Sequence, residues 1–264
     1  MNAIAAYAVR PRRGAQRGFT LIELSVAMLI GLFLLGGLLT LVQDMRRTFG
    51  NQNQLGQLQD NERLAMTLLT DVIQAAGYFP NPTFYVATSA LPAQGAFPTL
   101  AAGQALTGTH NPAPPGDTIT AQFLTASNDG IINCAGLTNT TVNPQVFVNR
   151  FSADLLGNLN CRVNLNAPVA LISPSGLAAT PLSGGVTNLQ ILYGVKRNLA
   201  IANNNADTFL NATQMTAADW GNLICVKVTL TFDNSALAKS QPGQPATIQF
   251  TRVITVMSRG GANT

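Results

Sequence analysis

Arg17-Gly18-Phe19-Thr20-Leu21-Ile22-Glu23-Leu24 opens a segment, Phe19 to Val42, in which Glu23 is the only charged side chain. About 20 apolar residues cross a bilayer core, so the segment is long enough to span one. A carboxylate at membrane depth costs a few kcal/mol on insertion scales and usually has a partner. Upstream lie Arg10, Arg12, Arg13 and Arg17, ending at the single glycine Gly18. A secretory signal peptide has a shorter apolar region followed by a small-x-small cleavage site. Here Val42 runs into Gln43-Asp44-Met45-Arg46-Arg47, which holds no such site. A plain signal-anchor helix accounts neither for Glu23 nor for a glycine placed before Phe19.

Basic leader, glycine, aromatic residue, then an apolar helix with an early glutamate: this order resembles the type III signal of type IV prepilins and pseudopilins. The resemblance implies a prepilin peptidase that cuts between Gly18 and Phe19 and methylates the new amine of Phe19. A residue without a side chain before the cut lets the backbone enter a narrow protease site. The resemblance also implies that Glu23 docks against the N-terminal amine of a neighbouring subunit. Desolvation consumes much of the gain from such a pair, so its value lies in register and recruitment. The bland alternative is a Glu23 solvated at the headgroup level.

The net charge of +4 misleads. Four of the fifteen Lys and Arg residues sit in the leader, and the rest balance the eleven acids. Nothing resembles the clustered basic footprint of a nucleic-acid binder. Only 10% of the residues are charged, which fits an exported head packed against sister subunits. Basic residues flanking a span tend to remain cytoplasmic. The leader is therefore expected inside, and everything after Val42 in the periplasm, anchored by a single pass through the inner membrane before incorporation into a surface pilus. Arg46 and Arg47 weaken this contrast without reversing it.

Cys134 and Cys161 lie in polar, loop-rich sequence, Asn-Cys-Ala-Gly and Asn-Cys-Arg. Outside the cytosol cysteines tend to oxidise, and the two are predicted to pair; the alternative is two free thiols. Closing the intervening loop would contribute about 3–4 kcal/mol in the chain-entropy model. Cys225 is expected to be a reduced, structural thiol.

The chain divides into residues 1–18 as a cleaved leader, 19–77 as a helix and 78–264 as a head. No proline interrupts Phe19 to Ala76, which predicts one helix of about 87 Å at 1.5 Å per residue. Its second half carries an apolar stripe of Leu55, Leu58, Ala65, Leu68, Leu69, Val72, Ile73 and Ala76. Gly77, followed by Pro80 and Pro82, is the expected stop. Residues 83–116 read as loop. Period-two alternation predicts strands over Asp117–Thr125, Leu189–Val195, Leu223–Phe232 and Thr247–Val256. Arg252 falls on the apolar face of the last, near an edge or paired with a carboxylate. The expectation is an α+β fold, a helical spine packed on an antiparallel β-sheet head.

Further landmarks resemble the PilW type of minor pilin. They are Leu68 to Phe79, Gly116-Asp117-Thr118-Ile119-Thr120, Cys134-Ala135-Gly136, Val186 to Val195, Asp219 to Val228 and Phe250 to Val256. Cys225 departs from the plain apolar or small residue expected there, and the tail Ser258-Arg259-Gly260-Gly261 lacks the Arg-Asn ending. The resemblance implies a low-abundance subunit that joins other minor pilins in the inner membrane, primes filament assembly with the major pilin and reaches the tip. Motility, adhesion and DNA uptake would then belong to the filament. The alternative within the superfamily is a large minor pseudopilin of a type II secretion system. An anchored enzyme fits poorly: there is one histidine, His110, and no triad, metal spacing or phosphate-binding glycine loop. No catalytic, cofactor-binding or metal residue is expected. His110 reads as a surface residue, and Asn203-Asn204-Asn205-Ala206-Asp207 as a solvated loop, with calcium binding weakly supported. Peptide mapping without reductant should return Cys134 linked to Cys161; an unpaired Cys134 thiol would reject the bridge.

Overall fold

The computed structural model describes residues 18–95, 99–173, 184–200, 203, 205–241 and 243–257. The leader arginines, Asn204 and the tail from Ser258 lie outside them. The chain forms two compact units, Met1–Phe49 and Gly50–Thr264.

Helix α1 covers Leu21–Ala75. In the first unit its side chains are almost all exposed. In the second unit Leu58, Ala65, Met66, Leu69, Val72 and Ile73 are buried. The expected stripe is therefore largely present, with two changes. Met66 joins it, while Leu55 is exposed and Leu68 only half-buried. At the end of the helix Gly77 takes φ 79°, a left-handed conformation that suits a residue without a Cβ. Its N–H then donates to Gln122 O at 2.8 Å, handing the chain over to the first sheet.

The head has two antiparallel sheets where the sequence pattern points to one. The first is a meander: β1 (Leu106–Thr109), β2 (Thr118–Thr125), β3 (Gln145–Ala153), β4 (Leu159–Val163) and β5 (Val169–Ile172). The second has the order β7-β6-β8-β9, from β6 (Val186–Val195), β7 (Thr208–Leu210), β8 (Leu223–Asp233) and β9 (Thr247–Thr255). Short helices α2 (Ala87–Ala90), α3 (Ala217–Gly221) and α4 (Ser235–Ser240) fill the connections.

Directly opposed residues of an antiparallel pair share a face. Ile119 pairs with Phe151, Phe123 with Phe147, and Phe151 with Cys161, so these face the core together. In the second sheet Val226, Val228, Leu230 and Phe232 supply that face. The stripe of α1 joins both sets in one continuous core. Arg252 sits on β9, at an edge of the second sheet, and its Nη1 lies 3.5 Å from Thr70 Oγ1 of α1.

Asp117 joins the two sheets. Its carboxylate is 2% exposed. Oδ1 accepts from Asn111 N at 2.8 Å and contacts His110 Nδ1 at 2.8 Å, and Oδ2 accepts from Ile191 N of β6 at 2.7 Å. The backbone adds Asp117 N to Leu189 O at 2.7 Å and Leu189 N to Pro115 O at 3.1 Å. Gly116, with φ 96°, has no room for a Cβ, which would run into the Leu189 backbone and Asn188 Oδ1. His110 is thus a partly buried carboxylate partner and not a plain surface residue.

A second polar cluster fastens α3. Arg197 Nε and Nη2 donate to the two oxygens of Asp219 at 2.9 and 2.8 Å. The N–H and hydroxyl of Thr216, the N-cap, add bonds of 2.9 and 2.7 Å. The Arg197 guanidinium, with these Thr216 donors, holds the Asp219 carboxyl well below the usual carboxylate range. The lone Trp220 packs edge-on against buried Tyr193, ring centres 4.8 Å apart.

Two outcomes follow, both read by Trp220 fluorescence of the full-length protein in detergent. Asp117→Ala strands the buried Ile191 N–H donor, at about 1–3 kcal/mol for a buried unpaired group, and removes the Asn111 bond, so the head should lose about 2–3 kcal/mol of unfolding free energy. A carboxyl whose folded pKa is depressed stabilises above its unfolded value, about 3.9, and that contribution is lost as pH falls toward the folded value. Asp219→Asn should therefore be less stable than wild type at neutral pH, and should lose less stability on acidification below about pH 4.

Candidate functional site: the start of the helix and the pinned head

The chemistry-bearing end of the chain is built from Gly18, Phe19, Thr20 and Glu23. Gly18 and Phe19 precede the helix and are exposed, and nothing lies within 4 Å of where a Gly18 Cβ would stand. Thr20 and Glu23 form a reciprocal cap. Thr20 N and Oγ1 each donate to Glu23 Oε2 at 3.1 Å, and Glu23 N donates to Thr20 Oγ1 at 3.4 Å. This is the capping box that Thr-x-x-Glu before an apolar run encodes. The reading of Glu23 as a docking carboxylate overlooks this local role, although the four-residue signature is present in the sequence. The carboxylate also favours the helix start electrostatically, where the N–H groups carry partial positive charge.

Both Thr20 donors fall on one oxygen. A carboxylate has about four acceptor positions, so the cap leaves capacity for another donor. The helix beyond it is long and apolar enough to cross a membrane. Its other polar side chains in this stretch turn inward on the helix backbone: Ser25 Oγ donates to Ile22 O at 2.9 Å and Thr40 Oγ1 to Gly37 O at 2.8 Å. Such bonds remove donors that lipid could not satisfy.

In the head, Cys134 and Cys161 are joined by a disulfide across 27 positions, their Cα atoms 5.9 Å apart. Cys161 lies on strand β4, not in a loop, and faces the core. The bridge fastens the β2–β3 connection to the sheet, helped by Asn149 Oδ1, which accepts from Cys134 N at 2.9 Å. Cys225 is free and buried on β8, and burial pushes its thiol up. Among the described residues no three His, Cys, Asp or Glu side chains gather as metal ligands would. Asp207, the one acid of the asparagine run, accepts from Arg197 N, Asn198 N at 2.7 Å and Thr208 Oγ1 at 2.8 Å. Its oxygens are committed to the turn.

Comparison with known proteins places these features in a class. Residues 13–39 match the prokaryotic N-terminal methylation motif. The glycine before the apolar run, the capped helix and the two-sheet head resemble the parts of a type IV pilin. Residues 153–259, from the end of β3 past β9, match the family Type IV Pilus-assembly protein W. The two matches support a PilW-type minor pilin of the type IV pilus. A solved type IV-like pilin from Thermus thermophilus is also similar, at 13% identity over 76% of this chain and 96% of that one, with a TM-score of 0.40. No curated protein sequence matches the chain.

Proposed function

We propose that this chain is a minor pilin that joins other minor pilins in the inner membrane to prime type IV pilus assembly, and that it ends at the pilus tip. The observation that carries the reading is the N-terminal arrangement: a glycine before an exposed phenylalanine, then a single carboxylate opening an otherwise uncharged apolar run. The leader arginines support a cytoplasmic N-terminus and a periplasmic head. The prepilin peptidase would cut after Gly18, remove residues 1–18 and methylate Phe19. Methylation keeps the positive charge and removes hydrogen-bond donors. The PilW match over 153–259 favours the pilus over a secretion pseudopilus.

Glu23 would then hold two roles in one side chain. It caps its own helix through Thr20 and accepts the Phe19 amine of the next subunit on its remaining acceptor positions. An ion pair in a low-dielectric surround is attractive, and a buried carboxylate left alone is costly. A subunit without a partner at this position is disfavoured in the packed filament, which makes Glu23 a register check.

The mature protein should begin at methylated Phe19 by N-terminal mass analysis; any other start would overturn the reading. Glu23→Ala should be cleaved normally while its recovery in sheared pili falls at least about tenfold, the ratio that about 1.4 kcal/mol of lost pairing produces. Normal recovery of that variant would discard the docking role.

A further inference from the structure

Each sheet ends in two edge strands, and three of the four are short. β1 and β5 have four residues each and β7 has three. β9 has nine, and it pairs with β8 along its whole length without a register shift. It contains no proline and no lysine. Short length, bulges, proline and lysine are common protections of an edge, and β9 has none of them.

The phase of its ladder is fixed at both ends. Asn234 N donates to Ala246 O at 2.8 Å, and Val256 N to Ile224 O at 3.0 Å. Bonded pairs alternate along an antiparallel ladder. Ile248, Phe250, Arg252 and Ile254 therefore bond to β8, and the N–H and C=O groups of Thr247, Gln249, Thr251, Val253 and Thr255 point away from it. Among the described residues no strand lies on that side, and these five residues make no backbone bond there.

The one charged residue of β9, Arg252, is on the core face. Its neighbours at two-residue spacing, Phe250 and Ile254, pack with the core. The guanidinium reaches Thr70 Oγ1 at 3.5 Å, beyond the usual range of an N–H···O bond. Among the described residues no carboxylate lies within ion-pair distance of it. An inward-pointing charge on an edge strand is a guard. A strand that adds there without an acid buries the guanidinium unpaired, which is costly. A strand that brings a carboxylate gains an ion pair instead, so the guard discriminates between partners. β1, β5, β7 and β9 contain no Asp or Glu, so edge pairing with a second copy is disfavoured. The undescribed residues hold no Asp or Glu either.

We infer that β9 is an acceptor edge for an extended strand of a different protein, with an Asp or Glu opposite Arg252 and apolar side chains two residues to either side of that acid. Main-chain bonds to the five outward residues supply affinity, and the alternate side chains supply specificity. The apolar pair extends the face that Phe250 and Ile254 begin. The inference rests on the head alone and not on the pilus reading.

The test uses the full-length chain in detergent and fluorescent, capped peptides of sequence Thr-Val-Thr-X-Thr-Val-Thr, with X as Glu, Gln or Lys. Anisotropy should show saturable binding of the Glu peptide, at least about tenfold tighter than the other two, a difference of about 1.4 kcal/mol. Arg252→Glu should reverse the order and favour the Lys peptide. Thr251→Pro removes an outward donor and leaves the β8 ladder intact, since proline is tolerated on an edge. It should weaken the Glu peptide at least about tenfold while the Trp220 unfolding transition stays in place. Hydrogen exchange over Thr247–Thr255 should slow when the Glu peptide saturates. The three-peptide comparison needs no variant and stands if either substitution unfolds the head. No saturable binding of the Glu peptide below about 1 mM overturns the proposal and leaves Arg252 a guard alone. So does equal binding of the three peptides, or binding unchanged by a folded Thr251→Pro. Slow exchange at the outward amides in the protein alone would mean that the chain or a second copy already fills the edge, and likewise overturns it.

Discussion

Burial of one helical stripe is the interaction on which the head depends. Among the described residues the two sheets share no strand, so ladder hydrogen bonds alone do not make them one body. The stripe Leu58–Ala65–Met66–Leu69–Val72–Ile73 lies in a single core with Phe123 and Phe151 of one sheet and Val226 and Phe232 of the other. A half-apolar sheet is unstable until its face is covered, and here one helix face helps cover two. Apolar burial is non-directional, so it holds the sheets without fixing how they meet. Asp117 supplies that direction. Its carboxylate ties the start of β2 to Ile191 and to the His110–Asn111 segment, and its backbone bridges to Leu189.

The long helix, its breaker, and strands β2, β6, β8 and β9 were legible because their apolar residues recur at a clean period. What escaped the pattern did so for physical reasons. On β3 the core face reads Phe147, Asn149, Phe151; the buried Asn149 breaks the apolar alternation because its amide oxygen serves Cys134 N. On β4 the core positions are Leu159, Cys161 and Val163, separated by Asn160 and Arg162, so the flanking polarity disguised a strand as a loop. β1 is four residues with a glycine in the middle, and that glycine is required: a Cβ on Gly108 would collide with the Tyr193 hydroxyl. The division into two sheets is a matter of long-range pairing, on which local periodicity is silent.

At the N-terminus the balance is reversed. Gly18, Phe19 and Glu23 stood out from sequence because charge and chain flexibility are rare beside an apolar run. The geometry adds the Thr20 partnership. A side chain that already stabilises its own helix start explains why a carboxylate is tolerable at the head of an apolar run. The asparagine run ending in Asp207 shows the opposite case. Residue types that resemble a cation loop turn out to be spent on backbone amides, which composition alone does not reveal.

Cys225 has a consequence of its own. It lies on β8 opposite Gly194 of β6, close enough that a Cβ on the glycine would press on its sulfur. Two of the three cysteines are locked together where the β2–β3 connection meets the first sheet, so the remaining sulfhydryl is a single native reporter placed in the second. Alkylation needs thiolate and access, and burial beside Gly194, Phe209 and Ala206 opposes both. The rate at which a thiol reagent reaches Cys225 therefore reports local opening around β8 and its Phe209–Ala206 cover, with no label added and the first sheet still stapled.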